Sequence, residues 1–321
     1  MNKGDKSFKH EARPWRWHLQ AFDYGMVLPI MARLPIKLAA KASQIRGIFN
    51  AWSGRDWAEL SVGFPYIKER TQKAADRLWP NSDAHQIAVE RYISIAREEW
   101  HASVIQANRL PRLRLHLDEL KKTLSKRDKE RGLVVLTAHF DSFIVGMVGL
   151  GLCGERVSVT TSNVYQNHLV HPSVTQFFDA KYRSAEKFFQ GGAGFVIVEK
   201  AMRHFYRALR RKETVVVVAD APSSDRGKGL WVSWFGQDCL LAEGGVRLAQ
   251  ETGSQICAMV CLTQADGSIQ WLCSDILDPQ EDHLFVNKLY QFIESQILKH
   301  PGSWWAAHLL EDYPTRDDLP A

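Results

Sequence analysis

The sequence predicts an α/β protein: a mixed, largely parallel central sheet of about seven strands covered by helices, with a helical N-terminal extension. Three observations carry that prediction. The run Leu133-Val134-Val135-Leu136-Thr137-Ala138 is apolar or small and rich in β-branched side chains, as expected of a strand covered on both faces. From residue 133 onward strand-like runs alternate with helix-like ones, whereas strand patterns are scarce over residues 1–130. A chain of 321 residues is long for one unit, but sheets of this kind reach that size without dividing. Residues 131–321 are therefore expected to form one continuous core, and 1–130 an extension that associates with a membrane surface.

In the extension, Leu60, Ile67 and Ala74 recur loosely, and Ile87, Val89, Tyr92, Ile93, Ile95 and Ala96 form a helical stripe. The cationic run Lys121, Lys122, Lys126, Arg127, Lys129 and Arg131 is expected to be a solvated loop, with anion binding as the alternative. Strands are expected at 133–138, 156–161, 194–198, 214–219, 230–235, 256–262 and 269–274, and helices at 141–152, 199–211 and 242–252. The last helix is the clearest, because Phe285, Leu289, Phe292, Ile293 and Ile297 recur at helical spacing before Pro301-Gly302 ends it.

A hydrophobic content of 45% with 24% charged residues excludes a disordered chain and allows a large core. The formal charge of +5 favours anionic partners. Basic and aromatic residues interleave at His10, Arg13, Trp15, Arg16, Trp17 and His18, followed by Arg33 and Lys37; Trp prefers the membrane interface, so a lipid surface is expected and no nucleic acid. The apolar stretch from Ala21 to Ala40 is interrupted by Asp23, Pro29, Arg33, Pro35 and Lys37, so it should lie on a bilayer rather than cross it. No secretory signal is recognisable, and Cys153, Cys239, Cys257, Cys261 and Cys273 show no metal-ligand spacing. These features suit a cytoplasmic protein with reduced core cysteines.

His139 is the leading catalytic candidate, since it emerges at the carboxyl end of a buried strand, where open α/β sheets build their sites. Asp141 or Ser142 can cap the helix that follows, and its first amides would favour negative charge there. Asp220 ends the run Thr214–Ala219, either capping the next loop or facing a cleft. Ser142 is a possible nucleophile with His139 as its base, although no G-x-S-x-G elbow surrounds it. Gly149-Leu-Gly151-Leu-Cys-Gly154 matches G-x-G-x-x-G, but late in a helix rather than at a strand-to-helix turn, so close packing and a C-cap are expected instead of a dinucleotide. His168 and His171 lack partners at metal-binding spacing.

Several blocks resemble, in order, the lipid A biosynthesis acyltransferases, the lauroyl and myristoyl transferases of the lysophospholipid acyltransferase superfamily. Thr137-Ala138-His139-Phe140 is similar to the family's catalytic strand end. Val164-Tyr165-Gln166-Asn167 with Pro172 resembles its Tyr-Arg-x-x-x-Asn-Pro segment. The block from Asp220 through Arg226, Gly229, Phe235-Gly236 and Glu243 to Leu248-Ala249 resembles its next strand, loop and helix, and Trp304-Trp305-Ala-Ala-His308 its Trp-x-Trp-x-His. Leu28-Pro29, Leu34-Pro35 and Arg77-Leu-Trp-Pro80 are weaker echoes.

The resemblance implies transfer of a fatty acyl chain from acyl carrier protein or coenzyme A, as co-substrate, to a lipid acceptor, with no tightly bound cofactor. His139 would take the acceptor proton in a direct transfer, a carboxylate would orient it, and amides at the start of the following helix would hold the oxyanion. This chain departs from the family pattern His-x4-Asp/Glu, having Ile144 where the acid is expected. Asp141 is then the nearest substitute, while Asp220 and Glu243 could reach the same cleft. Gln166 and Leu309-Leu310 replace family arginines, which implies an acceptor other than lipid A, with a hydroxyl or an amine. Ser142, Phe143, Tyr165, Asn167 and Arg226 are the expected substrate contacts; Arg226 and Lys228 either meet anionic donor or acceptor groups or are solvated loop charges. Phe143, Val145 and Met147 either line an acyl groove or pack in the core. The resemblance further implies a peripheral position on the cytoplasmic face of the inner membrane. Two rival functions follow from the same residues: a non-catalytic acyl- or lipid-binding protein, and a thioesterase using Ser142 or water.

Overall fold

The computed structural model describes residues 14–58, 67–162, 164–166, 170–223, 229–279 and 284–316. Helical segments come first: α1 (Pro14–Phe22), a π-helical turn (Asp23–Val27), α2 (Leu28–Met31), α3 (Ile36–Ser53), α4 (Ile67–Leu78) and the long α5 (Ala84–Gln106). Asp83 starts α5 by accepting from the amides of His85 and Gln86. There follow β1 (Arg114–His116), α6 (Asp118–Ser125), β2 (Leu133–Thr137), α7 (Phe143–Leu152), β3 (Val157–Thr161), α8 (Pro172–Glu186), β4 (Gly194–Ile197), α9 (Val198–Arg210) and β5 (Thr214–Val218). A hairpin of β6 (Leu230–Trp234) and β7 (Gln237–Leu241) leads to α10 (Gly244–Thr252), β8 (Gln255–Thr263), β9 (Ser268–Cys273) and α11 (Phe285–Lys299). Two 3-10 segments, Pro301–Ser303 and Trp305–Asp312, follow α11.

The fold is α/β, as the sequence predicts: a seven-stranded sheet in the order β1-β9-β8-β2-β5-β3-β4. The pairings among β8, β2, β5, β3 and β4 are parallel, β9 runs antiparallel to β8, and β1 is parallel to β9. The strand membership differs from the expected one. Residues 230–234 pair only with β7, in a separate two-stranded sheet, because Phe235 (φ 51°) and Gly236 (φ 75°) form a tight turn that folds the strand back on its neighbour. The seventh strand is β1, three residues long and too short to show a pattern.

The continuous apolar run at β2 is explained by its central place. Leu133 and Val135 pack into a core layer with α5, α6, α7, α8 and Leu28 of α2, whereas Val134 and Leu136 pack into the opposite layer with α9, α10, α11 and the hairpin. Each such side chain, fully removed from water, contributes about 1.5–3 kcal/mol. The α10 helix sits close over β2 and β5 because Gly245 has no Cβ; one built there would lie 2.5 Å from Leu136.

The basic run at 121–131 is only partly solvated, which corrects the expectation of a simple loop. Arg127 is buried against Glu155 and donates to Thr214 Oγ1 at 3.1 Å, and Arg131 pairs with Asp278. The glycine-rich stretch serves packing: a Cβ at Gly149 would lie 2.2 Å from the Trp271 ring, and one at Gly151 would lie 2.0 Å from the Phe188 carbonyl oxygen. All five cysteines are free thiols. Among the described residues no helix is long and apolar enough to cross a membrane, and no cluster of His, Cys, Asp or Glu could hold a metal ion.

Candidate active site

Strands β2 and β5 are parallel neighbours with Thr137 opposite Val218. Two residues further along each strand, the same register brings His139 opposite Asp220. The imidazole Nδ1 lies 2.9 Å from Asp220 Oδ1, and the His139 backbone amide donates to Oδ2 at 2.9 Å. The Trp304 indole donates to Oδ2 at 2.9 Å, and the Tyr313 hydroxyl donates to the Asp220 carbonyl at 2.7 Å. Asp220 is fully buried, while 45% of the His139 side chain is open to solvent. One nitrogen of the imidazole is thus tied to a buried carboxylate and the ring is otherwise accessible.

The electrostatics of the pair are mutual. Burial opposes the Asp220 carboxylate, but the His139 imidazole, with hydrogen bonds from that ring, from Trp304 and from the His139 amide, outweighs it and holds the pKa below the usual value. Burial, Lys181 and Arg91 favour neutral His139, yet the Asp220 carboxylate prevails and raises the imidazole pKa above its ordinary value. Imidazolium is therefore stabilised here, as a base that must receive a proton requires.

The C-terminal segment fixes the strand end from outside. Trp305 N donates to the His139 carbonyl at 2.8 Å, Asp141 N donates to the Ser303 carbonyl at 2.9 Å, and Phe140 and Trp304 form an antiparallel bridge. Arg91 of α5 holds the Trp305 carbonyl at 2.8 Å.

Asp141 is not the partner of His139. Its left-handed backbone (φ 35°) turns the buried carboxylate toward α5 and β8, where Oδ1 accepts from Arg97 Nη2 at 2.5 Å and Nε at 2.9 Å, and Oδ2 accepts from the Thr263 amide at 2.5 Å. Glu243 also turns elsewhere, lying 3.6 Å from Arg247 on its own helix. Ser142 is fully buried, bonded to His101 Nδ1 at 2.9 Å and Thr263 Oγ1 at 2.7 Å, which removes it as a nucleophile open to substrate. Burial and Arg97 pull the pKa of His101 down to about 3, so that ring is neutral.

The start of α7 is not a free set of donors. Phe143 N is taken by the Asp141 carbonyl at 2.9 Å, and Ile144 N donates to Glu98 Oε2 at 3.3 Å. Glu98, from α5, is buried and ion-paired with Lys181. At the position where a family acid was expected, the chain thus keeps an apolar side chain and supplies a carboxylate to its backbone from another helix. Two of the amides expected to hold an oxyanion, those of Phe143 and Ile144, therefore already have acceptors within the protein.

Phe143 does face the site: its ring is nearly parallel to His139 at 6.2 Å and lies 6.4 Å from Trp305. Val145 and Met147 are buried in the core. Tyr165 lines a cleft of about 350 Å³ with Thr161, Tyr182, Phe195 and Ile197, at the carboxyl ends of β3 and β4, the sheet edge that also carries His139 and Asp220. Asn167, His168, Arg226 and Lys228 lie outside the described residues.

Sequence reasoning did not assign Arg97, Glu98, His101, Tyr313 or the indole of Trp304. A signal for Glu98 and His101 was present: Arg91, Ser94, Glu98 and His101 recur every three to four residues along α5, a polar stripe on its buried face.

Among curated proteins none matches the chain significantly. Among solved structures the chain is similar to the 1-acyl-sn-glycerophosphate (LPA) acyltransferase PlsC from Thermotoga maritima, at 12% identity over 83% of this chain and 96% of that one, with a TM-score of 0.33. The sequence profile of the bacterial lipid A biosynthesis acyltransferases matches residues 85–310, a span that contains His139, Asp220 and Trp304, and the chain belongs to that family.

Proposed function

We propose that the protein transfers a fatty acyl group from an acyl thioester, of acyl carrier protein or coenzyme A, to a hydroxyl or amine of a lipid-like or specialised-metabolite acceptor. His139 is the general base and Asp220 its carboxylate partner. The observation that carries this reading is the pair itself: an accessible imidazole whose Nδ1 is tied to a fully buried aspartate at the carboxyl ends of adjacent strands.

In the transfer, Nε2 of His139 takes the acceptor proton as the acceptor oxygen or nitrogen attacks the thioester carbonyl. The resulting imidazolium is stabilised by Asp220. When the tetrahedral intermediate collapses, the C–S bond breaks and the proton on Nε2 passes to the departing thiolate, so histidine ends the cycle neutral. The burial of Ser142 disfavours a serine thioesterase, and the intact His139–Asp220 pair disfavours a retired site.

Membrane-surface action is part of the same proposal, and it is supported by α3, which is inside out. Its inner face carries Ser43, Arg46 and Asn50, while Leu38, Ile45, Ile48, Phe49 and Trp52 point outward, Trp52 with 78% of its surface exposed. The inner polar groups are satisfied: Arg46 binds Asp23 and Glu99, at 2.5 and 2.6 Å, and Arg55 binds Asn50 and Asp23. Water on the outer face would leave an unusually large apolar patch wet, whereas a lipid leaflet would cover it. This surface extends past the expected 13–40 segment to Trp52. A peripheral seat on the cytoplasmic face of the inner membrane, where both kinds of thioester are available, fits this arrangement.

The test is mass spectrometry of products formed from mixed acyl thioesters and a lipid extract by wild type, His139→Ala and Asp220→Asn. New acylated species that depend on His139 support the reading; equal product from wild type and His139→Ala overturns it.

A further inference from the structure

Arg33, Arg109 and Arg112 come from two separate segments and gather at one place without an acidic partner among the described residues. Arg33 follows α2, and its Nη1 donates to the Pro29 carbonyl at 2.8 Å. Arg109 and Arg112 lie in the turn after α5, and both direct Nη1 to the Arg33 carbonyl, at 3.2 and 3.4 Å. One peptide oxygen cannot neutralise full positive charges, and each guanidinium keeps most of its five N–H donors unused. The neighbouring sequence offers no relief: residues 24–55 contain five basic residues and no acidic one, and 107–117 contain no acidic residue.

The location narrows the ligand. Phe22, Met26 and Ile30 recur every four residues and are each more than half exposed, so they form an apolar stripe that runs straight into Arg33. The outward face of α3 lies on the next helix. Guanidinium groups at the rim of an apolar patch match the depth of lipid phosphates when that patch is immersed in a leaflet. A freely diffusing phosphate would have no use for the apolar neighbours.

We propose that Arg33, Arg109 and Arg112 form a binding site for the phosphate of an anionic lipid headgroup, which makes membrane docking selective for anionic leaflets. This inference rests on the reading that the apolar face of α1–α3 meets a membrane. Guanidinium is suited to the task because its planar donors grip two phosphate oxygens at once.

The experiment compares co-sedimentation of the full chain with vesicles of phosphatidylcholine alone and with phosphatidylglycerol added. Three proteins are compared: wild type, the triple variant Arg33→Gln, Arg109→Gln, Arg112→Gln, and a control with the same net charge, Lys73→Gln, Arg77→Gln, Lys121→Gln, whose sites are exposed on α4 and α6. Matched thermal melts establish that all three fold. The expected result is a loss of at least about tenfold in binding to the phosphatidylglycerol vesicles for the site variant alone, with binding to phosphatidylcholine preserved. Equal losses in site variant and control would show bulk charge rather than a site, and overturn the proposal. Equal binding of wild type to both vesicle types also overturns it while leaving the membrane reading intact; binding to neither removes the membrane reading too. Stabilisation of wild type, but not of the site variant, by inorganic phosphate without vesicle selectivity would reassign the site to a free anion and reject the lipid headgroup. Acyl transfer in detergent should be the same in all three proteins.

Discussion

His139 and Asp220 are 81 residues apart in sequence and directly opposite each other in the register of two parallel strands. The carboxylate anchors the backbone as well as the ring, so a variant at this position separates geometry from charge. Asp220→Asn is expected to lower kcat on the order of 10²–10⁴-fold, because the amide neither stabilises imidazolium nor enforces the tautomer. Trp304→Phe removes only the indole donor and should cost less, with a higher pKa for Asp220. Steady-state kinetics on both variants check the ranking.

The raised pKa of His139 gives a signed pH dependence. Only the neutral ring accepts a proton, so kcat/KM should climb through an apparent pKa above the ordinary histidine value of about 6.5. In Asp220→Asn the raising charge is gone, and the acid limb of the profile should move to lower pH as the plateau falls. For stability the sign is opposite: the contribution of the charged imidazole is complete below its unfolded-state value and is lost as pH rises through the folded one, while that of Asp220, whose pKa is lowered, is lost at acid pH. A limb that stays in place in the variant would separate the titration from His139.

Asp141 serves the fold. Asp141→Asn leaves Arg97 facing a neutral amide and weakens the tie between α5, the turn after His139 and the end of β8. Breaking one side of a buried pair costs about 3–5 kcal/mol, reduced here because a quarter of the Arg97 side chain is exposed. The expected outcome is a lower melting temperature with activity, measured well below it, falling far less than in Asp220→Asn. The reverse ranking would restore Asp141 to the chemistry.

His101 should make the protein acid-sensitive. It stays neutral in the fold down to a pKa of about 3, while in the unfolded chain it charges near 6.5. The unfolded state therefore binds the extra proton first, and stability should fall by up to about 1.4 kcal/mol for each pH unit below that value. Urea unfolding between pH 4 and 7 should show this slope, and His101→Gln should reduce it by that share, leaving the part due to buried His308, whose pKa falls to about 2.

Gly149→Ala tests the packing role of the glycine-rich stretch. The new methyl group would meet the buried Trp271 ring, whose indole is already held by the Gly146 carbonyl at 3.1 Å. A destabilisation of roughly 1–3 kcal/mol is expected. Nicotinamide dinucleotides should leave the melting temperature of wild type unchanged.

Legibility in the sequence tracked how local each signal is. The β2 run and the α11 stripe are properties of consecutive residues, and both elements stand where the pattern puts them. The partner of His139 depends on which strand lies beside β2 and in what register. Nothing in the residues around 139 encodes that, so Asp141, near in sequence, and Asp220, near in space, were both open. Strand 230–234 was visible, but its place beside β7 is decided by the left-handed pair Phe235-Gly236. Periodicity found helical spacing in the extension but could not say which face of α3 is inside, because an inverted helix has the same period as an ordinary one.

The placement of Trp304 and Tyr313 has a consequence for the order of events during synthesis. A ribosome has already produced His139 and Asp220 when the two groups that complete the aspartate's surroundings, the Trp304 indole and the Tyr313 hydroxyl, are still 84 and 93 residues away in the message. A nascent chain stopped before that point holds the acid–base pair but neither the indole that donates to its carboxylate nor the hydroxyl that holds the Asp220 carbonyl, nor the strap that Trp305 lays across the His139 carbonyl. The surroundings of the pair are therefore completed late in translation, and nicking the chain between α11 and Trp304 is expected to lower activity more than it lowers sheet content.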